Sequence, residues 1–251
     1  APVPTAALPD EIAPLATALN ALLARLASSL DSQRAFVADA AHELRSPLTA
    51  LKLQLELLRR ADDAETRDAA RIAIGEGIGR ATRLVEQLLA LARSEPDAVL
   101  PVDDVDLVAV ARQAIDDSHA FAGARSARIE LLATAPAFVR GDAVALALLV
   151  RNLVDNAARY SPPGARVEVK VRDEGARVVL EVDDSGPGIP EGERERVFDR
   201  FYRRAEATES GTGLGLAIVR SVATAHGATV GLHASSLGGL QARVEFPARP
   251  R

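Results

Sequence analysis

His42 and Glu43 stand side by side in Ala40-Ala41-His42-Glu43-Leu44-Arg45-Ser46-Pro47-Leu48, an imidazole next to a carboxylate on a helical pattern. A neutral ring nitrogen is a nucleophile, and an adjacent carboxylate can take the proton from the other nitrogen. The pair suits a phosphate acceptor better than it suits a core. Farther on, Asn152, Asn156 and Arg159 share one helix face at four- and three-residue steps, and Leu148, Leu149 and Leu153 are left for the core. Amide oxygens suit a hard cation such as Mg²⁺, which is usually shared with substrate phosphates. Asp183-Asp184-Ser185-Gly186-Pro187-Gly188 follows a strand pattern. A carboxylate at a strand end can accept a hydrogen bond from an exocyclic amine such as adenine N6, and the glycines let the backbone approach a ligand. Gly211-Thr212-Gly213-Leu214-Gly215-Leu216 opens a helix, where free N–H groups and the helix dipole favour phosphate. No βαβ unit surrounds this run and the Lys-Ser/Thr pair of a P-loop is missing. Roughly 20 charged and Gly-rich residues, with Phe198, Phe201 and Arg203 among them, separate the last two motifs, a length that suits a lid.

These side chains need long helices at one end and a sheet at the other. Apolar residues recur at three- and four-residue steps as Leu15, Leu19, Leu22, Leu26, Leu30, Val37, Ala40, Leu44, Leu48, Leu51, Leu55 and Leu58. The paired four-residue steps at Leu22-Leu26-Leu30 and Ala40-Leu44-Leu48 are stutter-like shifts in a coiled-coil seam. His42 lies two residues past Ala40, about 200° around the helix, and so points away from the seam. Pro47 removes a helix hydrogen bond and predicts a bend beside it. Residues 61–64 read as a turn, and a second stripe follows through Ile74, Ile78, Ala81, Val85, Leu88 and Ala92. Such a hairpin has little interior, so self-association into a four-helix bundle is expected. Gly75, Gly77 and Gly79 interrupt the second helix pattern, through either close packing or local pliability.

Beyond a polar linker the pattern changes. Helices are predicted over 105–122, 143–160 and 213–226, and strands over 128–133, 166–172, 177–183, 229–234 and 241–246, with a hairpin turn at Glu174-Gly175. Such mixing predicts an α+β sandwich, one largely antiparallel sheet covered by helices. The net charge of −5 gives no reason to expect nucleic acid as a partner. With no cysteine, disulfides and thiolate metal sites are excluded. No apolar run is long enough to span a bilayer, so no direct membrane contact is expected of this stretch. The chain begins at Ala1 and has no methionine, which reads as a fragment of a longer protein.

In order and spacing the motifs resemble those of the two-component sensor histidine kinases over about residues 10–251. His42 to Leu48 looks like the H-box, Asn152 to Tyr160 the N-box, and Asp184 to Gly188 the G1 box. Phe198 to Arg203 resembles the F-box and Gly211 to Gly215 the G2 box. The run Phe36 to Ala41 resembles the proteobacterial QseC- and PmrB-like members. The resemblance implies the end of a HAMP signalling helix over 1–27, a dimerisation and phosphotransfer domain over 28–94, a linker over 95–104, and an ATP-binding domain of the Bergerat (GHKL) fold over 105–251. It also implies His42 as phosphoacceptor, assisted by Glu43, with Ser46 placed for dephosphorylation of the partner. ATP and Mg²⁺ are the implied cofactors. Asn156 is the implied metal ligand, with Asn152 and Arg159 near the phosphates and Asp184 on adenine. Gly186, Gly188, Gly211, Thr212, Gly213, Leu214 and Gly215 surround the nucleotide, with Tyr160, Phe198 and Arg203 beside them. The implied partners are a second copy and a response-regulator receiver domain, and the implied setting is the cytoplasmic part of a bacterial inner-membrane protein. Two rivals weigh against this. A gyrase-like ATPase places Glu where Asn152 stands, and Asn cannot act as a general base for water. A non-enzymatic adaptor would be expected to have lost His42, Asn156 or Asp184.

Overall fold

The computed structural model describes residues 13–61, 63–93, 103–122, 128–203 and 212–248. It divides into two units, 1–82 and 83–251.

The first unit holds α1 (Ala13–Arg60) and α2 (Ala64–Arg93) as far as Thr82, both long helices. α1 continues through Pro47. α2 is capped by Asp63, whose Oδ1 accepts from Thr66 N–H and Oδ2 from Thr66 Oγ1, both at 2.7 Å. That cap satisfies one of the free N–H groups of the first turn. These bonds hold the Asp63 carboxyl below its usual range, the Thr66 backbone N–H contributing most. α2 runs unbroken through its glycines. At Gly77 a Cβ would lie 2.7 Å from Leu51 Cδ2, which is close packing, whereas Gly75 has open space. Most of the α1 stripe is exposed, including Leu15 at 70%, Leu22 at 64% and Leu48 at 58%.

In the second unit, β1 (Asp103–Asp106) leads into α3 (Leu107–Ala122). β2 (Arg128–Leu132), β3 (Phe138–Gly141) and α4 (Ala143–Tyr160) follow. β4 (Arg166–Asp173) and β5 (Arg177–Asp184) form the hairpin. α5 (Gly215–Ala225), β6 (Thr229–Ala234) and β7 (Leu240–Pro247) complete it. The main sheet has the order β2-β4-β5-β7-β6 and is antiparallel except for the β2–β4 pair. Val105 and Asp106, expected to begin a helix, pair instead with Val139 and Phe138 in a separate two-stranded sheet. Asp106 then caps α3, its Oδ1 accepting from Val108 N–H at 3.0 Å.

Alternation along β5 separates two faces of the main sheet. Val178, Leu180 and Val182 pair with Phe246, Val244 and Ala242 on one side and with Asp173, Val171 and Val169 on the other. This apolar face packs against α4, whose Leu146, Leu149, Val150 and Val154 are fully buried. The other face carries a ladder of ion pairs. Arg166 pairs with Glu168 and Glu168 with Lys170, both at 2.7 Å, and Lys170 reaches Asp183 at 3.1 Å. Arg172, Glu181, Arg243, Glu245 and Arg177 continue it. Glu181 and Asp183 are buried there, which buried carboxylates tolerate only when paired.

Candidate functional site

Within the second unit a cavity of about 840 Å³ opens beside α4. Drug-sized and cofactor ligands occupy cavities of about this size. α4 is set by its N-cap, Asp142, whose Oδ1 accepts from Val144 N–H at 2.8 Å and Ala145 N–H at 3.3 Å. Its end is set by Ser161-Pro162-Pro163, where proline stops the helix. His226, at the end of α5, ties the two helices together. Its Nε2 accepts from Asp142 N–H at 3.1 Å, so its Nδ1–H donates to Val222 O at 2.8 Å. A side chain at Gly141 would strike that ring, at 2.2 Å.

Asn152, Asn156, Arg159 and Tyr160 all line the cavity, as their spacing on one face of α4 requires. Asn152 is buried, and its Nδ2 donates back to Leu148 O at 2.8 Å. Gly215, the first residue of α5, faces both amides. A Cβ there would lie 3.1 Å from Asn156 Nδ2 and 3.2 Å from Asn152 Oδ1. The glycine keeps open the space between two amides and the first turn of a helix whose leading N–H groups have no side-chain cap. Gly213 is in the left-handed region (φ 67°), and a Cβ on it would press on the backbone of Phe201 at 2.7 Å.

At the other end lies Asp184. Its Oδ1 accepts from Gly186 N–H at 2.8 Å and Leu240 N–H at 3.0 Å. Oδ2 has no hydrogen bond among the described residues. Burial pushes this carboxyl above the usual aspartate range, against the two backbone N–H bonds that favour its charge. Val182, Ile189, Leu153, Ala157, Leu216 and Ala242 supply apolar wall, Arg159, Arg194 and Arg203 cationic wall.

Of the other residues singled out in the sequence, Gly188, Thr212 and Gly213 also line the cavity. Gly186 serves as a donor to Asp184. Leu214 is fully buried beneath the loop, and Phe198 is buried against Arg220, whose guanidinium lies 4.0 Å from the ring centroid; neither is on the cavity wall. Gly211, most of the linker and the C-terminal end of the expected lid (204–210) lie outside the described residues. His42 and Ser46 are exposed on α1 and Glu43 is half-buried. Sequence reasoning missed Gly239 and Leu240, which grip Asp184 from the β6–β7 turn. A Cβ on Gly239 would lie 2.2 Å from Asp184 Oδ1, a demand that a Gly-Gly pair in a turn hints at but does not direct at any partner. It also missed Gln87, in the last turns of α2 that belong to this second unit, whose Nε2 donates to Asn152 Oδ1 at 3.0 Å.

Residues 141–250 match the family model described as histidine kinase-, DNA gyrase B-, and HSP90-like ATPase, and residues 32–97 match the His Kinase A (phospho-acceptor) domain. The chain belongs to the sensor histidine kinases. It is 39% identical over 248 residues to the sensor protein QseC of Escherichia coli K12, covering 98% of this chain and 54% of that protein. It is 37% identical over 259 residues to the sensor protein kinase PmrB of Pseudomonas aeruginosa, covering 98% of this chain and 52% of that protein. The chain therefore spans about half the length of these curated relatives. A solved structure of the mycobacterial sensor histidine kinase MprB superposes with a TM-score of 0.53 at 34% identity, covering 60% of this chain and 99% of that one.

Proposed function

We propose that this chain is the catalytic part of a homodimeric sensor kinase that phosphorylates His42 from ATP and passes the phosphoryl group to an aspartate of a response-regulator receiver domain. The observation that carries the reading is the cavity with Asp184 at one end and the Asn152–Asn156 pair facing the open N-terminus of α5 at the other. This arrangement matches a purine nucleotide, with an amine acceptor for the base and backbone N–H groups, amides and arginines for the phosphates. Asn156 is the residue that would hold Mg²⁺, and the ion would neutralise phosphate charge there. Arg159 and Arg203 complement that charge further.

In the reaction, a ring nitrogen of His42 attacks the γ-phosphorus. The P–N bond forms as the bond to the ADP oxygen breaks, and Glu43 takes the ring proton from the other nitrogen. Exposure of His42 on α1 leaves it accessible to the nucleotide and then to the receiver. The exposed leucines of α1 are the surface that a second copy would cover. Ser46, exposed one turn beyond His42, would position water for dephosphorylating the receiver. The domain boundaries are proposed as 28–94 for the phosphotransfer domain and 105–251 for the ATP-binding domain, joined by 95–104. The parent protein is proposed to sit in a bacterial inner membrane with this part in the cytoplasm.

The test is incubation with γ-labelled ATP. The expected product is a label on the protein that is labile to acid, stable to alkali and absent from His42→Ala. Label retained by His42→Ala would overturn the assignment.

A further inference from the structure

The turn joining β6 to β7 is bonded to both faces of β5 at once. On the cavity side, Gly239 N–H donates to Asp184 O at 3.2 Å and Leu240 N–H to Asp184 Oδ1 at 3.0 Å. On the opposite side, Ser235 Oγ donates to Asp183 Oδ1 at 2.8 Å. The turn is also closed on itself. Ser235 N–H donates to Gly239 O at 2.9 Å, Gly238 N–H to Ser235 O at 3.1 Å, and Leu237 N–H to Ser235 Oγ at 3.0 Å. The placement of Leu240 N–H, one of the two donors to the Asp184 carboxylate, is thus tied, through a few bonds, to the Ser235 hydroxyl.

Asp183 is completely buried. Its remaining bonds come from Lys170 Nζ at 3.1 Å and Gln241 Nε2 at 3.2 Å. Being adjacent to Asp184 on a strand, it points to the other face and does not line the cavity. Packing does not require a carboxylate there, because Val179 occupies the same face of β5 and is just as thoroughly buried. What a carboxylate adds is an acceptor strong enough to fix a hydroxyl.

We propose that Asp183 and Ser235 are positioning residues for the base-recognising carboxylate. By fixing the β6–β7 turn from behind the sheet, they aim Asp184 at the exocyclic amine of the purine and so set base selectivity. The inference rests on the reading of the cavity as an adenine-nucleotide site. It assigns a task to a buried charge that neither touches the nucleotide nor takes part in phosphotransfer.

The experiment compares ADP with purine riboside 5′-diphosphate, which lacks the 6-amino group, as displacers of a fluorescent trinitrophenyl-ATP from the whole chain. Wild type should prefer ADP. In Ser235→Ala that preference should fall about fivefold, the worth of one aimed hydrogen bond, with affinity for the amine-free analogue little changed. Ser235→Thr, which keeps the hydroxyl, should restore it. Equal weakening of both ligands, as a merely structural role would produce, overturns the inference, and so does an unchanged ratio. If Ser235→Ala fails to fold, Ser235→Cys, which keeps the volume and weakens the bond, is read by the same ratio. A wild type with no preference for ADP would instead sink the adenine reading itself, and the two failures are thereby told apart.

Discussion

The two units solve the problem of apolar surface in opposite ways. α1 exposes Leu15, Leu19, Leu22, Leu26 and Leu48, and the first-unit part of α2 exposes Ile72 and Ile78. The second unit buries Val167, Leu180, Val244 and Phe246 on the apolar face of its sheet and closes the far face with paired charges. In the proposed dimer the first unit is finished by a second copy, whereas the second unit closes a core of its own. The difference teaches where each can tolerate change: at the surface in the second unit, but not along the exposed stripe in the first.

The strongest challenge to that contrast is Leu22→Asp. Placing a charge on a side chain that is 64% exposed in one chain should do little to a free helix. In the proposed dimer it should raise the dissociation constant about a hundredfold, read by sedimentation. The melting transition of the second unit should not move, and a loss of both together would break the comparison. Next in size is Gly239→Ala. Its Cβ would lie 2.2 Å from Asp184 Oδ1, so ADP affinity should fall about thirtyfold while the sedimentation of the dimer is unchanged.

Asp184→Asn should lower ADP affinity about tenfold, because an amide presents a donor to the purine amine in one orientation and no charge in either. Its effect on stability should have the opposite sign. Burial raises the folded-state pKa of Asp184 above the unfolded value, so the folded state binds the extra proton and stability falls as pH rises through that interval. The uncharged Asn should therefore melt no lower than wild type at pH 7, and its melting point should change less between pH 7 and the unfolded aspartate range. A lower melting point would show that the charge is worth more to the fold than burial costs it. The smallest change is expected from Asp63→Ala, which removes the cap of α2. The bonded carboxylate has a lowered pKa, so its contribution is present above the unfolded pKa and lost as pH falls through the folded one. The variant should lower the helical melting point modestly at neutral pH and not at all in strong acid, followed by circular dichroism.

Much of this was legible because it is periodic. The four- and three-residue steps placed Asn152, Asn156 and Arg159 on one wall, and α4 occupies the predicted 143–160. The β4–β5 hairpin turns at Gly175 (φ 77°), where a left-handed glycine is required. What escaped is non-local. β1 and β3 are four residues each, too short to show a period, and Val105 lies directly before the apolar run that opens α3. Nothing local to Gly239 says that its lack of a side chain serves Asp184, far away in the chain. The charged face escaped for a similar reason, since Glu168, Glu181 and Asp183 look like solvated residues until the register sets Lys170 and Arg243 beside them.

Phe201 takes a left-handed conformation (φ 60°), and its N–H donates to Gly213 O at 3.0 Å. That bond pins the two ends of a stretch of chain whose length is then of little thermodynamic consequence, since doubling a closed loop costs only about 0.6 kcal/mol. The placing of Gly213 on the cavity wall is thereby fixed at its root by the backbone of Phe201.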